Sequence, residues 1–225
     1  MASPGVGPVT GPGVAGVLLA AGAGRRLGRP KALERLGGQL LVDRGAATLA
    51  AGGCAPVVVV LGAGAPQVRD RATCPAYARL VDNPDWPTGM GSSVRAGLAA
   101  LTSADAGAVG AAVLALVDQP FVGAETVRRL VAAWRAGRPV VVAAYAGQRR
   151  NPVLFDRALW PEVAAGLEGD EGARRWLAAH PDLVSAVECG DVAEPDDVDG
   201  PADLARARQV VAGEWSGRVG TTRRG

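Results

Sequence analysis

Val14-Ala15-Gly16-Val17-Leu18-Leu19-Ala20 runs directly into Ala21-Gly22-Ala23-Gly24-Arg25-Arg26-Leu27-Gly28-Arg29-Pro30-Lys31. The first half is almost wholly apolar, and the second is a glycine-rich, cationic loop. A near-continuous apolar run is what a parallel strand covered on both faces requires, because both sets of alternating side chains then meet protein. Residues 57–61, 111–117 and 139–144 have the same character, and 78–81 reads as a shorter strand. Helical patterns fall between them at 41–51, 92–101, 124–136 and 202–215, with Ser92 as a capping residue and Pro201 ahead of the last. Alternating strands and helices predict a single three-layer α/β domain with a doubly wound, mostly parallel sheet, a Rossmann-like architecture. The domain is expected over 14–215, with disordered tails at 1–13 and 216–225. Such sheets bind ligands at the carboxyl ends of their strands, so the residues after each apolar run are the ones to read for function.

The 225 residues suffice for one large core, and 48% hydrophobic with 20% charged residues is ordinary for a globular protein. The net charge of +2 lacks the clustered basic face of a nucleic-acid binder. The three cysteines, Cys54, Cys74 and Cys189, are widely spaced, which argues against a disulfide framework or a zinc site. The apolar run at 14–21 is too short to span a bilayer. These features predict a cytoplasmic protein without membrane or nucleic-acid partners.

The loop at 19–31 suits an anion. Glycines let backbone N–H groups converge and remove side chains that block close approach. Arg26 and Lys31 then supply charge for a triphosphate, the first as a fork and the second as a mobile point charge. A P-loop requires GxxxxGK[ST], which is absent. Gly22, Gly24 and Gly28 give GxGxxxG, one residue longer than the dinucleotide fingerprint.

The segment from Leu19 to Lys31 resembles the signature of the molybdenum cofactor guanylyl- and cytidylyltransferase family. Further blocks agree in order: Asn83-Pro84-Asp85-Trp86-Pro87-Thr88-Gly89-Met90-Gly91-Ser92-Ser93, Leu116-Val117-Asp118-Gln119-Pro120, Asn151-Pro152-Val153-Leu154-Phe155, Gly169-Asp170-Glu171-Gly172, and Asp197-Val198-Asp199-Gly200-Pro201. The likeness spans about residues 14–210. It departs from the family at Leu27, Arg150 and Gly200, where Met, Gly and Thr are common. The resemblance implies a nucleotidyltransferase fold and transfer of CMP to molybdopterin with release of pyrophosphate.

Within that frame, Leu19, Ala20, Ala21, Gly22, Ala23 and Gly24 are expected to bind the nucleotide, as are Asn83, Gly91, Ser92 and Ser93 at a helix start. Asp118 ends an apolar strand and is the expected Mg²⁺ ligand, since magnesium favours carboxylate and phosphate oxygens. The resemblance adds Asp199 as a second ligand, although an Asp there equally reads as a helix cap. Asn151, Pro152 and Asp170 are the expected acceptor residues. Ala21, where guanylyl-transferring relatives usually carry Gly, favours CTP. His180, the single histidine, reads as a surface residue at a helix end. The expected partners are CTP or another NTP, a molybdopterin-type or other phosphate acceptor, and a molybdenum enzyme or its maturation chaperone. Other readings are GTP as donor, a sugar or polyol phosphate as acceptor, a catalytically silent nucleotide-binding partner, and a nicotinamide-dependent dehydrogenase.

Overall fold

The computed structural model describes residues 12–102, 109–167 and 169–213. Its strands are β1 (Gly13–Ala20), β2 (Arg35–Leu36), β3 (Gln39–Leu40), β4 (Val57–Leu61), β5 (Ala78–Asp82), β6 (Val109–Leu116), β7 (Val140–Tyr145), β8 (Gln148–Asp156) and β9 (Val184–Glu188). The helices are α1 (Leu41–Ala51), α2 (Ala65–Arg71), α3 (Met90–Thr102), α4 (Ala124–Arg135), α5 (Trp160–Ala165), α6 (Arg174–Ala179) and α7 (Pro201–Ala212). Among the described residues none of these helices is long and apolar enough to cross a membrane.

Seven strands form one sheet in the order β5-β4-β1-β6-β8-β7-β9. β1 lies near its middle and pairs in parallel with β4 and β6. Only β8 runs against its neighbours, pairing antiparallel with β6 and β7. The apolar run of β1 serves two cores because successive side chains point to opposite faces. Val14 and Leu18 join α1 and α4 on one face. Val17 and Leu19 join α3 on the other. Burying each such side chain contributes about 1.5–3 kcal/mol.

The helices approach β1 very closely. A Cβ on Gly97 of α3 would stand 2.4 Å from Val17 Cγ1, and one on Gly45 of α1 would stand 2.8 Å from Leu18 Cδ1. Glycine at these two positions therefore sets the helix-to-sheet distance on both faces.

The expected boundaries shift in several places. Helix α3 starts at Met90, so Ser92 lies within its first turn and does not cap it. Its buried hydroxyl instead faces the Gly89 and Asp85 carbonyls at 2.8 and 3.0 Å. Helix α7 ends at Ala212, where Gly213 adopts the left-handed conformation, φ 78°. The rest of the expected helix, 214–215, lies outside the described residues, as do the expected tail 216–225 and residues 1–11 of the other tail. Gly13 already belongs to β1. β2, β3, β8, β9, α2 and α5 have no counterpart among the expected elements, whereas α6 ends at His180 as the helix-end reading of that residue expects. β8 begins with exposed Gln148, Arg149 and Arg150 and becomes buried only from Pro152, so half of it lacks an apolar pattern. β9 is a short edge strand whose alternation is weak.

The close contact at Gly97 yields a stability prediction. Gly97→Ala overpacks the α3–β1 contact and should cost about 2 kcal/mol, which at this chain length lowers Tm by about 4–8 °C. A scanning-calorimetry midpoint equal to wild type would contradict this packing.

Candidate active site

The carboxyl ends of β1 and β6 open into a cleft of about 330 Å³, walled by Ala21, Gly22, Ala23, Arg25 and Lys31 on the loop side and by Trp86, Pro87, Gly89, Met90 and Ser93 opposite. Leu19, Leu116, Val117 and Asp118 form its floor, and Asp170 closes one side. That volume is within the range of small-ligand sites.

The loop is shaped at Gly24. Its φ is +60°, and a Cβ there would fall 2.0 Å from the Arg29 carbonyl oxygen. Only glycine lets the outgoing and returning chains touch. Between them, Leu27 N donates to Gly24 O at 2.9 Å.

Lys31 then reaches into the cleft and is half-buried. Its Nζ donates to Asp118 Oδ2 at 2.7 Å and also to Asp199 Oδ1. Desolvation by itself lowers a lysine pKa, but the Asp118 and Asp199 carboxylates outweigh it and hold the ammonium above its ordinary range. The hydrogen bond from Lys31, aided by the charges of Lys31 and Arg26, holds Asp199 below the usual carboxylate range despite some desolvation. Arg26 Nη1 stands 3.1 Å from Asp199 Oδ2 and is otherwise largely exposed.

Asp118 is the first residue but one beyond β6. Asp199 arrives from the far end of the chain because Val198 N donates to Asp118 O at 2.8 Å. Gln119, buried, adds a clamp by donating to Asp197 Oδ1 at 2.9 Å and to Pro195 O at 3.2 Å. Asp197 is desolvated there, and its carboxyl is pushed up from the ordinary value. The capping alternative for Asp199 fails: Asp203 Oδ2 accepts from Gly200 N at 2.9 Å and from Asp199 N at 3.2 Å. Asp203, in the first turn of α7, thus reaches back to the N-cap residue Gly200, and the Asp199 side chain is left for Lys31 and Arg26.

The other expected site residues divide. Leu19, Ala21, Gly22, Ala23, Ser93 and Asp170 border the cleft, and Ala20 lies buried in β1. Asn83 is buried beneath the cleft wall, where its Nδ2 donates to Ser92 Oγ at 2.8 Å and to Ser93 Oγ at 3.0 Å. Asn83, Gly91 and Ser92 therefore build the turn into α3 rather than line the cleft. Asn151 and Pro152 do not border it either. Pro152 is buried beside a small cavity that also touches Leu41, Arg44 and Thr48 of α1. Asp170 packs over Gly89, whose added Cβ would fall 2.8 Å from Asp170 N. Arg25 borders the cleft, whereas the sequence points to its neighbour Arg26; which of two adjacent arginines turns inward is decided by the fold. His180 sits apart: its ring stacks on Trp176 at 4.1 Å, and Nε2 lies 2.9 Å from Glu162.

Comparison with known proteins agrees with this geometry. A family model described as the MobA-like NTP transferase domain matches residues 16–184. The protein named nicotine blue oxidoreductase, from Paenarthrobacter nicotinovorans, is 45% identical over 196 residues, covering 84% of this chain and 93% of that protein. Purine catabolism protein PucB of Bacillus subtilis (strain 168) is 30% identical over 214 residues, 89% of this chain and 98% of PucB. Among solved structures, an Rv0371c homologue from Mycobacterium sp. strain JC1 has a TM-score of 0.76 at 30% identity, covering 90% of this chain and 98% of that one. Rv0371c of Mycobacterium tuberculosis H37Rv, solved in complex with manganese, has a TM-score of 0.71 at 28% identity, with coverage of 88% and 98%. The match of the family model to most of the chain assigns it: this protein belongs to the MobA-like NTP transferase domain family.

Proposed function

We propose that this family member is a magnesium-dependent nucleotidyltransferase of the cytoplasm that moves CMP from CTP to the phosphate of molybdopterin and releases pyrophosphate. The observation that carries the reading is the convergence of Lys31, Asp118 and Asp199 beside a glycine loop. Two carboxylates that already share one cation fit a divalent ion whose remaining positions phosphate oxygens and water would fill. When bound, the metal would draw charge from the α- and β-phosphates.

The chain's own groups do the rest. Backbone N–H groups of 22–24 face the phosphates, while Lys31 transfers its hydrogen bonds from the carboxylates to phosphate oxygens. Arg25 and Arg26 neutralise the outer charge. The acceptor phosphate is already an anion, so no side-chain base is needed, and the placement of His180 away from the cleft agrees with that. Catalysis is alignment and charge stabilisation. Asp170 borders the acceptor side, with Asn151 and Pro152 further out on β8. A molybdenum enzyme or its maturation chaperone would receive the product.

A second reading rests on the 45% identity to a protein named as an oxidoreductase. Dinucleotide-binding folds place the pyrophosphate on a helix that starts directly after the first glycine turn. Here the loop runs through a 3-10 turn at Lys31–Leu33 and the β2–β3 hairpin before α1 begins at Leu41. That connection favours the transferase. Oxidation of NADH or NADPH by a dye acceptor, at a rate exceeding pyrophosphate release from any NTP, would reverse the order.

Three outcomes are expected. Lys31→Ala should lower kcat by about 10²–10³-fold while the protein stays folded; near-wild-type turnover removes Lys31 from the chemistry. Asp118→Asn should abolish the magnesium response of pyrophosphate release, and unimpaired wild-type turnover in excess chelator would contradict the metal assignment. CTP should exceed GTP in kcat/KM with molybdopterin as acceptor, because the nearly buried methyl of Ala21 narrows the cleft toward a pyrimidine. A ratio at or below unity makes GTP the donor, and turnover only with a sugar phosphate replaces the acceptor.

A further inference from the structure

Glu34 is 1% exposed, a depth at which a carboxylate is costly unless fully partnered. It touches neither the cleft nor Lys31's side chain. Its two oxygens accept from Nε and Nη2 of Arg29, the latter at 2.8 Å, so the guanidinium fork is engaged on both sides. Arg208 of α7 brings a second guanidinium to 3.7 Å, and its Nε lies 3.4 Å from the Arg35 carbonyl. The backbone of Glu34 is pinned as well. Its N–H donates to Lys31 O at 3.0 Å and its carbonyl accepts from Leu41 N at 2.9 Å.

Arg29 is two residues before Lys31, and its carbonyl is the atom that closes against Gly24. Inside the loop the backbone hydrogen bonds are short turns, Leu27 to Gly24 and Gly28 to Arg25. The loop's backbone is tied down only near its ends, where Ala21 O accepts from Ala63 N at 3.0 Å and Lys31 O accepts from Glu34 N at 3.0 Å, and the Arg29 fork adds a side-chain anchor between them. Arg208, for its part, belongs to the helix that follows directly on Asp199. One buried carboxylate thus connects the two segments that deliver Lys31 and Asp199. A purely structural need at this depth would be met by an apolar side chain, with no charge to desolvate.

We infer that Glu34 is a positioning residue of the phosphate loop, holding Lys31 in register through Arg29 and contacting the body of α7 through Arg208. The catalytic consequence rests on the nucleotidyltransferase reading, whereas the effect on the loop does not.

The test compares Glu34→Gln, Glu34→Leu and Arg29→Lys with wild type in the full chain. Trypsin under native conditions reads the loop, since Arg25 and Arg26 are exposed and the bond after Arg29 is protected by Pro30. Steady-state kinetics with magnesium and CTP read the site, and the thermal midpoint reads the fold. Cleavage after Arg25 and Arg26 should accelerate about tenfold in both Glu34 variants, and kcat should fall by up to about 100-fold, as for a misplaced catalytic group. Glu34→Leu should keep or raise the thermal midpoint, which separates positioning from stability, and Glu34→Gln carries the test if the leucine variant fails to fold. Arg29→Lys, with charge but no fork, should fall between. Unchanged cleavage in both Glu34 variants, or kinetic losses that follow only the thermal midpoint, would overturn the assignment. If wild type releases no pyrophosphate, the transferase reading fails, and faster cleavage in the variants still supports the anchor.

Discussion

The site is organised around one ammonium held between two carboxylates. Lys31 sits partly inside the protein, where an unpaired charge is costly, and Asp118 and Asp199 supply its counter-charge. Those three groups come from distant parts of the chain, so their meeting constrains most of the molecule. Asp118 must emerge from the end of β6, beside β1. Lys31 must return to the sheet edge after the loop. Asp199 must be brought back by the segment that pairs its backbone with Asp118.

The sheet meets these demands by close packing around β1. Glycines on α1 and α3 let both helices touch its side chains, which fixes the strand ends at which the cleft opens. On the cleft's far wall, Asn83 donates to two serine hydroxyls and thereby sets the turn into α3. Buried polar groups in this region are partnered, and their partners define the shape of the cleft more than its chemistry. The charged groups of the cleft come from the loop, from Asp118 and from Asp199 ahead of α7.

Much of this was legible in the sequence where a pattern is local. The apolar run of β1, the glycine loop and the Asp after β6 each carry their reason within a few residues. Helix α1 was read at its observed bounds because its apolar positions recur at helical spacing. β8 escaped because its first half is polar and exposed, and β9 because a five-residue edge strand offers little alternation. Asp199 was ambiguous for a physical reason: the N-cap is Gly200, the carboxylate that reaches back to it belongs to Asp203 in the first turn, and only the hydrogen bonds distinguish the two aspartates. Asn83 and Ser92 were read as ligand groups because buried and cleft-lining polar residues look alike in sequence. Glu34 gave no signal, and Gln119 only as part of the Leu116–Pro120 block, since the partners of both are fixed by the tertiary fold.

Under the proposed function, the Lys31–carboxylate cluster is the free form of a metal–triphosphate site. A crystal of the full chain with manganese and a non-hydrolysable CTP analogue tests it directly, with anomalous scattering to locate the metal. The expected result is a manganese peak against Asp118 and Asp199, with Lys31 Nζ moved onto a phosphate oxygen. A nucleotide bound in the cleft while Lys31 still bridges both carboxylates, or manganese bound elsewhere, would contradict it.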